Sequence, residues 1–389
     1  MRISLLLVLI GCFFGGEVVA QNRSIEFREG KWEMILKEAR KEKKMIFVDG
    51  YTSWCGPCKM LSKMVFTNDT VADYFNRHFV NVKMDMEKGE GPALAKKYEV
   101  RAFPTLLFLD REGRLVHCIV GFQSPQKLID EARTALEGGN TLSALQKKYE
   151  SGERNPEFVR QYIAKLCEAY RPALQREVAT EFVNTMSEEQ FYSRDCWNII
   201  SMNITDPMSP LIQKMFANRN RFYQIVAKDT VDLFLDYTFR NKVSGFTWWE
   251  ASKGAFNESS YDEYVAYLKR VNWSKRVQYL ASLYTARKMA DGDYRGMLDE
   301  MYTVLNYGIF LPDEQLDYVR NYMIRLRKSA KTELLREARD WMDRLMTEAQ
   351  MGYYQSEYMR VKAGLLRALG EEQQAVKLEE EARVVRMSR

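Results

Sequence analysis

Two cysteines one helical turn apart, held between an apolar run and a helix-compatible run, constrain this chain more than any other feature. Met45-Ile46-Phe47-Val48-Asp49 is nearly continuous in apolar residues and reads as a buried strand. Then come Trp54-Cys55-Gly56-Pro57-Cys58-Lys59 and the run Met60-Leu61-Ser62-Lys63-Met64-Val65-Phe66, which continues as a helix. Cys55 therefore falls at a helix N-terminus, where unpaired N–H groups and the helix dipole stabilise an anion. A thiolate is such an anion, and it is the nucleophile of disulfide exchange. Pro57 fits the first turn, where its missing N–H forfeits no helical bond.

On these residues the sequence resembles the thioredoxin-fold family. Trp54 to Lys59 matches the family's active-site segment residue for residue, and Asp49 matches its buried acid. Lys83, in Val80-Asn81-Val82-Lys83-Met84-Asp85, stands where the family often carries a lysine. Phe103-Pro104-Thr105 matches the cis-proline loop that faces the cysteines. The resemblance spans about residues 25 to 137. Two departures, Tyr51 in place of a frequent tryptophan and a lengthened segment from Val65 to Gly91, resemble exported members of the family. Among these are the soluble domains of membrane electron-transporting disulfide reductases.

The resemblance implies an α/β thioredoxin fold, a mixed central sheet flanked by helices. It also implies a thiol–disulfide oxidoreductase with no cofactor beyond a redox-active Cys55–Cys58 disulfide. Cys55 attacks a substrate disulfide and Cys58 resolves the mixed disulfide. Asp49 and Lys83 join them as catalytic residues: burial raises the Asp49 pKa, so it can take the Cys58 proton near neutrality. A plain Asp49–Lys83 ion pair is the alternative. Trp54, Gly56, Pro57, Phe103 and Pro104 form the expected substrate-binding surface, with Pro104 cis; a trans turn is the bland alternative. Gly-Pro between the cysteines goes with reducing members of the family, because no cation there stabilises the Cys55 thiolate. The expected partners are protein disulfides and a thiol electron donor, taken to be a membrane electron transporter.

The termini set the compartment. Arg2 precedes an apolar run from Ile3 to Phe14, and Val18-Val19-Ala20 stands before Gln21. This pattern predicts an export signal over residues 1–20, too short for a comfortable membrane span, and a protein of the periplasm or cell envelope. Leu9-Ile10-Gly11-Cys12 offers a competing lipoprotein reading, with Cys12 lipidated. Loss of Cys12 with the signal leaves five of six cysteines, an odd number. Cys118 lies in an apolar strand and reads as a core residue. Cys167 and Cys196 sit in amphipathic helices, either bridged or as small buried hydrophobes.

A length of 389 residues suffices for two domains. The net charge of +5 is small and both signs are interleaved, which argues against a nucleic-acid partner. Gly138-Gly139-Asn140 marks a boundary between a thioredoxin-like domain at 21–138 and an α-helical domain at 141–389. Breakers recur in the helical part at Asn155-Pro156, Asp206-Pro207, Gly254, Asp291-Gly292 and Leu311-Pro312. Ala363 to Gly370, followed by Glu371 to Ala375, resembles the helical hairpin of tetratricopeptide-type repeats. Phe246, Trp248, Trp249 and Trp273 read as core aromatics, with binding anchors as the alternative.

Two rival functions follow from the same residues. A non-catalytic envelope scaffold would use the helical domain to bind a partner protein. A copper chaperone would hold Cu(I) on Cys55 and Cys58. No zinc site is expected, because His78 and His117 are the only histidines.

Overall fold

The computed structural model describes residues 23–248, 255–329, 331–349 and 352–387. The expected export signal, Cys12, Trp249 and Gly254 lie outside them. The chain divides into two compact units, Met1–Ser187 and Glu188–Arg389.

In the first unit the order is β1 (Phe27–Arg28), α1 (Trp32–Glu42), β2 (Met45–Tyr51), α2 (Gly56–Met64), α3 (Asp69–His78), β3 (Phe79–Asp85), α4 (Gly91–Lys97), β4 (Thr105–Leu109), β5 (Leu115–Val120) and α5 (Pro125–Glu137). Three further helices follow: α6 (Leu142–Glu150), α7 (Pro156–Glu168) and α8 (Pro172–Asn184). The strands lie in the order β1-β3-β2-β4-β5. β1 and β2 run parallel to β3, whereas β4 runs antiparallel to both β2 and β5. Side chains alternate across a strand, so Phe47 and Asp49 share a face with their register partners Phe108 and Leu106. That face buries Phe47, Leu61, Phe75, Phe108, Leu128 and Ala132, which brings α2, α3 and α5 onto it.

Local chemistry accounts for the helix ends. Asn68 accepts the Thr70 and Val71 N–H groups at the start of α3, and Ser124 accepts that of Lys127 at the start of α5. Gly91-Pro92 forms the first turn of α4, where proline is tolerated. Gly138 ends α5 with φ +80°, a left-handed conformation that suits glycine. Thr141 then caps α6 through the Ala144 N–H.

α6 and α7 pack on β5. The seam holds a buried polar cluster. His117 Nδ1 accepts the Leu142 N–H at 3.4 Å, so its ring proton sits on Nε2 and points at Glu131, 2.6 Å away. Lys127 reaches Glu131 Oε1 at 2.6 Å and Lys165 reaches Oε2 at 3.2 Å. Burial alone raises the Glu131 pKa, but hydrogen bonds from His117 and Lys127 and the charge of Lys165 outweigh it. The carboxyl is held far below the ordinary carboxylate range.

The second unit is helical throughout its described residues. It begins with α9 (Glu188–Phe191), α10 (Arg194–Asn203), α11 (Pro210–Ala217) and α12 (Arg219–Phe222). Longer helices follow: α13 (Lys228–Thr247), α14 (Glu258–Arg270), α15 (Arg276–Ala290), α16 (Tyr294–Asn306), α17 (Pro312–Ser329), α18 (Thr332–Glu348), α19 (Gly352–Ala368) and α20 (Glu372–Met387). α13 packs with α15, and α17 with α19. Tyr318 of α17 bonds Thr285 of α15 at 2.6 Å, and Tyr322 bonds the Ser282 carbonyl. α19 and α20 form the expected hairpin, closing on Ala363, Leu366 and Ala375. Phe246 and Trp273 are buried, whereas Trp248 is exposed with Arg325 4.0 Å above its ring.

Candidate active site

The end of β2, the start of α2 and the entry to β4 converge on one place. Gly50 pairs with Thr105 across the β2–β4 ladder. A Cβ on Gly50 would lie 2.6 Å from the Met86 side chain and 3.0 Å from the Thr105 carbonyl oxygen. A side chain there would push the Met86 methyl aside and crowd the Thr105 carbonyl, so glycine suits the close approach of β4, which follows Pro104 directly.

Cys55 is the N-cap of α2, and Pro57 occupies its first turn. The Cys55 sulfur accepts the Cys58 N–H at 3.2 Å, a bond that favours negative charge on sulfur at a helix N-terminus. The two cysteines are joined in a disulfide, Cα atoms 5.4 Å apart. Both are buried beneath the exposed Gly56 and Pro57.

Asp49 shares the α2 face of the sheet and is 0% exposed. Among the described residues no donor lies within hydrogen-bond distance of either carboxyl oxygen. Lys83, its register partner on β3, holds Nζ 3.7 Å from Oδ2. The same ammonium donates to Ser62 Oγ on α2 and lies 5.0 Å from the centre of the Tyr51 ring. Burial dominates and pushes Asp49 up to about 7, against the pull of Lys83. A carboxyl that titrates there exchanges protons at neutral pH.

The Phe103–Pro104 bond is cis. Thr105 Oγ1 closes the turn on the Ala102 carbonyl at 2.6 Å, and the Gly121 N–H bonds the Pro104 carbonyl at 2.8 Å. Trp54 is 65% exposed and meets Phe103 edge-on at 6.0 Å between ring centres. Its indole N–H donates to the Glu87 carboxylate at 3.0 and 3.2 Å. The structure thus brings together the thiol pair, the Asp49–Lys83 pair and the aromatic edge of Trp54, Phe103 and Pro104.

Three residues here escaped the sequence reading. Ser62 anchors Lys83 and sits four residues after Cys58, hence on the same face of α2. Glu87, in the turn after β3, fixes the Trp54 indole, with no sequence signal. Phe122 is exposed one residue after the glycine that bonds Pro104. An exposed aromatic in the turn after β5 was the available signal.

The remaining described cysteines, Cys118, Cys167 and Cys196, are free. Burial pushes Cys118 and Cys196 up to about 12, which makes them poor nucleophiles. Cys167 is exposed on α7, against its reading as a small buried residue. Among the described residues no group of three or more His, Cys, Asp or Glu is arranged to hold a metal ion.

A family model described as a thioredoxin-like domain matches residues 32–136. Thioredoxin of Staphylococcus aureus is 34% identical over 93 residues, covering 24% of this chain and 84% of the relative. A solved Bacteroides thetaiotaomicron protein described as a candidate disulphide isomerase is 53% identical, covering 30% of this chain and 98% of that one, with a TM-score of 0.29. A Thermus thermophilus thioredoxin is 23% identical, covering 30% and 92%, with a TM-score of 0.27.

Proposed function

The chain belongs to the thioredoxin family and is a thiol–disulfide oxidoreductase, and from that premise we propose that it reduces protein disulfides outside the cytoplasm. The observation that carries the reading is the Cys55–Cys58 disulfide at a helix N-terminus above an unbonded, buried Asp49.

In the reduced protein, the Cys55 thiolate attacks one sulfur of a substrate disulfide. A Cys55–substrate bond forms, and the other substrate sulfur leaves as a thiolate that takes up a proton. Asp49 then accepts the Cys58 proton. The Cys58 thiolate attacks Cys55 Sγ, and the second substrate sulfur leaves and is protonated. Two electrons have passed to the substrate, and the Cys55–Cys58 disulfide is restored. A donor dithiol must reduce it again, and a membrane electron transporter is the proposed source. Trp54, Gly56, Pro57, Phe103, Pro104 and Phe122 form the surface on which an extended substrate segment lies.

The export reading is supported by the Arg2-to-Ala20 pattern. The reducing direction is supported by Gly56-Pro57, which puts no cation beside Cys55. The second unit is proposed as a tetratricopeptide-like array that recognises a partner, supported by the α19–α20 hairpin.

A trap tests the proposal. Cys58→Ser, expressed with its own N-terminus in native envelopes, should accumulate covalent adducts on non-reducing gels, identifiable by mass spectrometry. They should vanish when Cys55→Ser is added. A folded Cys58→Ser protein with no adducts would sink the exchange reading and favour a scaffold built on the helical unit.

A further inference from the structure

Arg171 lies in the turn between α7 and α8, outside the residues 32–136 that match the family. Its side chain is only 12% exposed. Nη1 donates to the Glu99 carbonyl at 2.6 Å and Nη2 to the Tyr98 carbonyl at 2.7 Å, with Glu99 Oε2 3.8 Å from Nη1. These carbonyls end α4, where helical partners run out and a cation is favoured. Glu99 has φ +53°, a left-handed conformation that costs an L-residue roughly 1 kcal/mol. Something must hold it.

The residues after Glu99 are Val100, Arg101, Ala102, Phe103 and Pro104, the entry to the cis-proline edge. One side of this connection faces a cavity of about 290 Å³, lined by Lys97, Arg101, Leu115, Leu142, Arg171 and Leu174. The connection therefore has room to shift on that side. The Arg171 fork grips two successive carbonyls across the gap in a fixed planar geometry that a lysine ammonium lacks.

We propose that Arg171 is a positioning residue for the cis-proline edge, so that the α7–α8 turn helps set how a protein substrate is held beside Cys55. The inference rests on the reading of that edge as the substrate platform. It predicts a defect confined to substrates that need the edge.

The full chain is compared with Arg171→Ala, Arg171→Lys and Pro104→Ala. Each is assayed for reduction of insulin and for reaction of the reduced enzyme with a small aromatic disulfide. Arg171→Ala should raise KM for insulin about five-fold with kcat nearly unchanged, the mark of lost binding rather than lost chemistry. The small-disulfide rate should stay put, and Arg171→Lys should fall between parent and Arg171→Ala. If Pro104→Ala raises KM while folded Arg171→Ala does not, the clamp is wrong and the edge reading stands. If neither moves KM, the edge reading fails and takes the clamp with it. Should Arg171→Ala not fold, Arg171→Lys decides: a KM equal to the parent's overturns the proposal.

Discussion

Asp49 and Glu131 are both carboxylic acids buried in the same compact unit, yet their surroundings push them in opposite directions. Asp49 has one lysine at 3.7 Å and, among the described residues, no donor within hydrogen-bond distance, and rises to about 7. Glu131 has His117, Lys127 and Lys165 within 3.2 Å and is held far below its ordinary value. Burial raises both carboxyls, more for the deeper Asp49, and only around Glu131 do the donors outweigh it. The carboxyl starved of partners can exchange a proton, whereas the saturated one can only hold structure together.

The largest test of this contrast is Glu131→Gln. It leaves two lysines and an imidazole around an uncharged amide and should cost about 4 kcal/mol, read from urea unfolding. The turnover of folded protein should not change. The sign with pH follows from the lowered pKa. The Glu131 contribution is present above its ordinary 4.5 and is lost as pH falls below that toward the folded value. A variant as stable as the parent at pH 7 would break the comparison.

Asp49→Asn should do the reverse. Folded Asp49 titrates at about 7 against an ordinary 3.8, so the folded protein holds this proton more tightly than the unfolded chain does. Stability from this group therefore falls as pH rises from about 4 to about 7, by on the order of 4 kcal/mol. An unbonded buried amide returns roughly 2 kcal/mol of that, leaving a net gain of about 2 kcal/mol at pH 8. Mixed-disulfide resolution should slow roughly ten- to hundred-fold at neutral pH, measured by rapid quench. Faster resolution, or a loss of stability at pH 8, would remove Asp49 from its assigned role.

Lys83→Met sharpens the contrast further. Without its one cation, Asp49 should titrate above 7, and the pH–rate midpoint should move upward with it. A rate loss of about three-fold at pH 7 is expected, and an unmoved midpoint would assign Lys83 to Ser62 alone. The smallest effect is expected from Glu87→Ala. It frees an exposed indole N–H to water, so KM should change by about two-fold at most, with a shift in Trp54 fluorescence.

Much of the active-site half was legible because it is written in local patterns. A strand, a Cys-Gly-Pro-Cys turn and a helix follow one another within Met45–Met64. What stayed hidden depends on residues distant in sequence. β1 is two residues long and exists only because β3 lies beside it. Lys165 and Arg171 look like solvent-facing cations in amphipathic segments, yet their partners stand 34 and 72 residues earlier. Periodicity shows that α6, α7 and α8 are helices, but not that they belong to the same compact unit as the sheet. Ser62 was a polar residue on a helix until Lys83 arrived from another strand.

The strand order gives the helices on β5 one more consequence. A sheet's outermost strands carry unpaired backbone donors and acceptors, and these invite another chain to add a strand. Here one outer strand, β1, has only two residues, and the other, β5, lies under α6 and α7. The helices that follow Gly138 thereby act against aggregation. A chain cut at Gly138 would bare six residues of β5 to its neighbours and should self-associate more readily than the full chain.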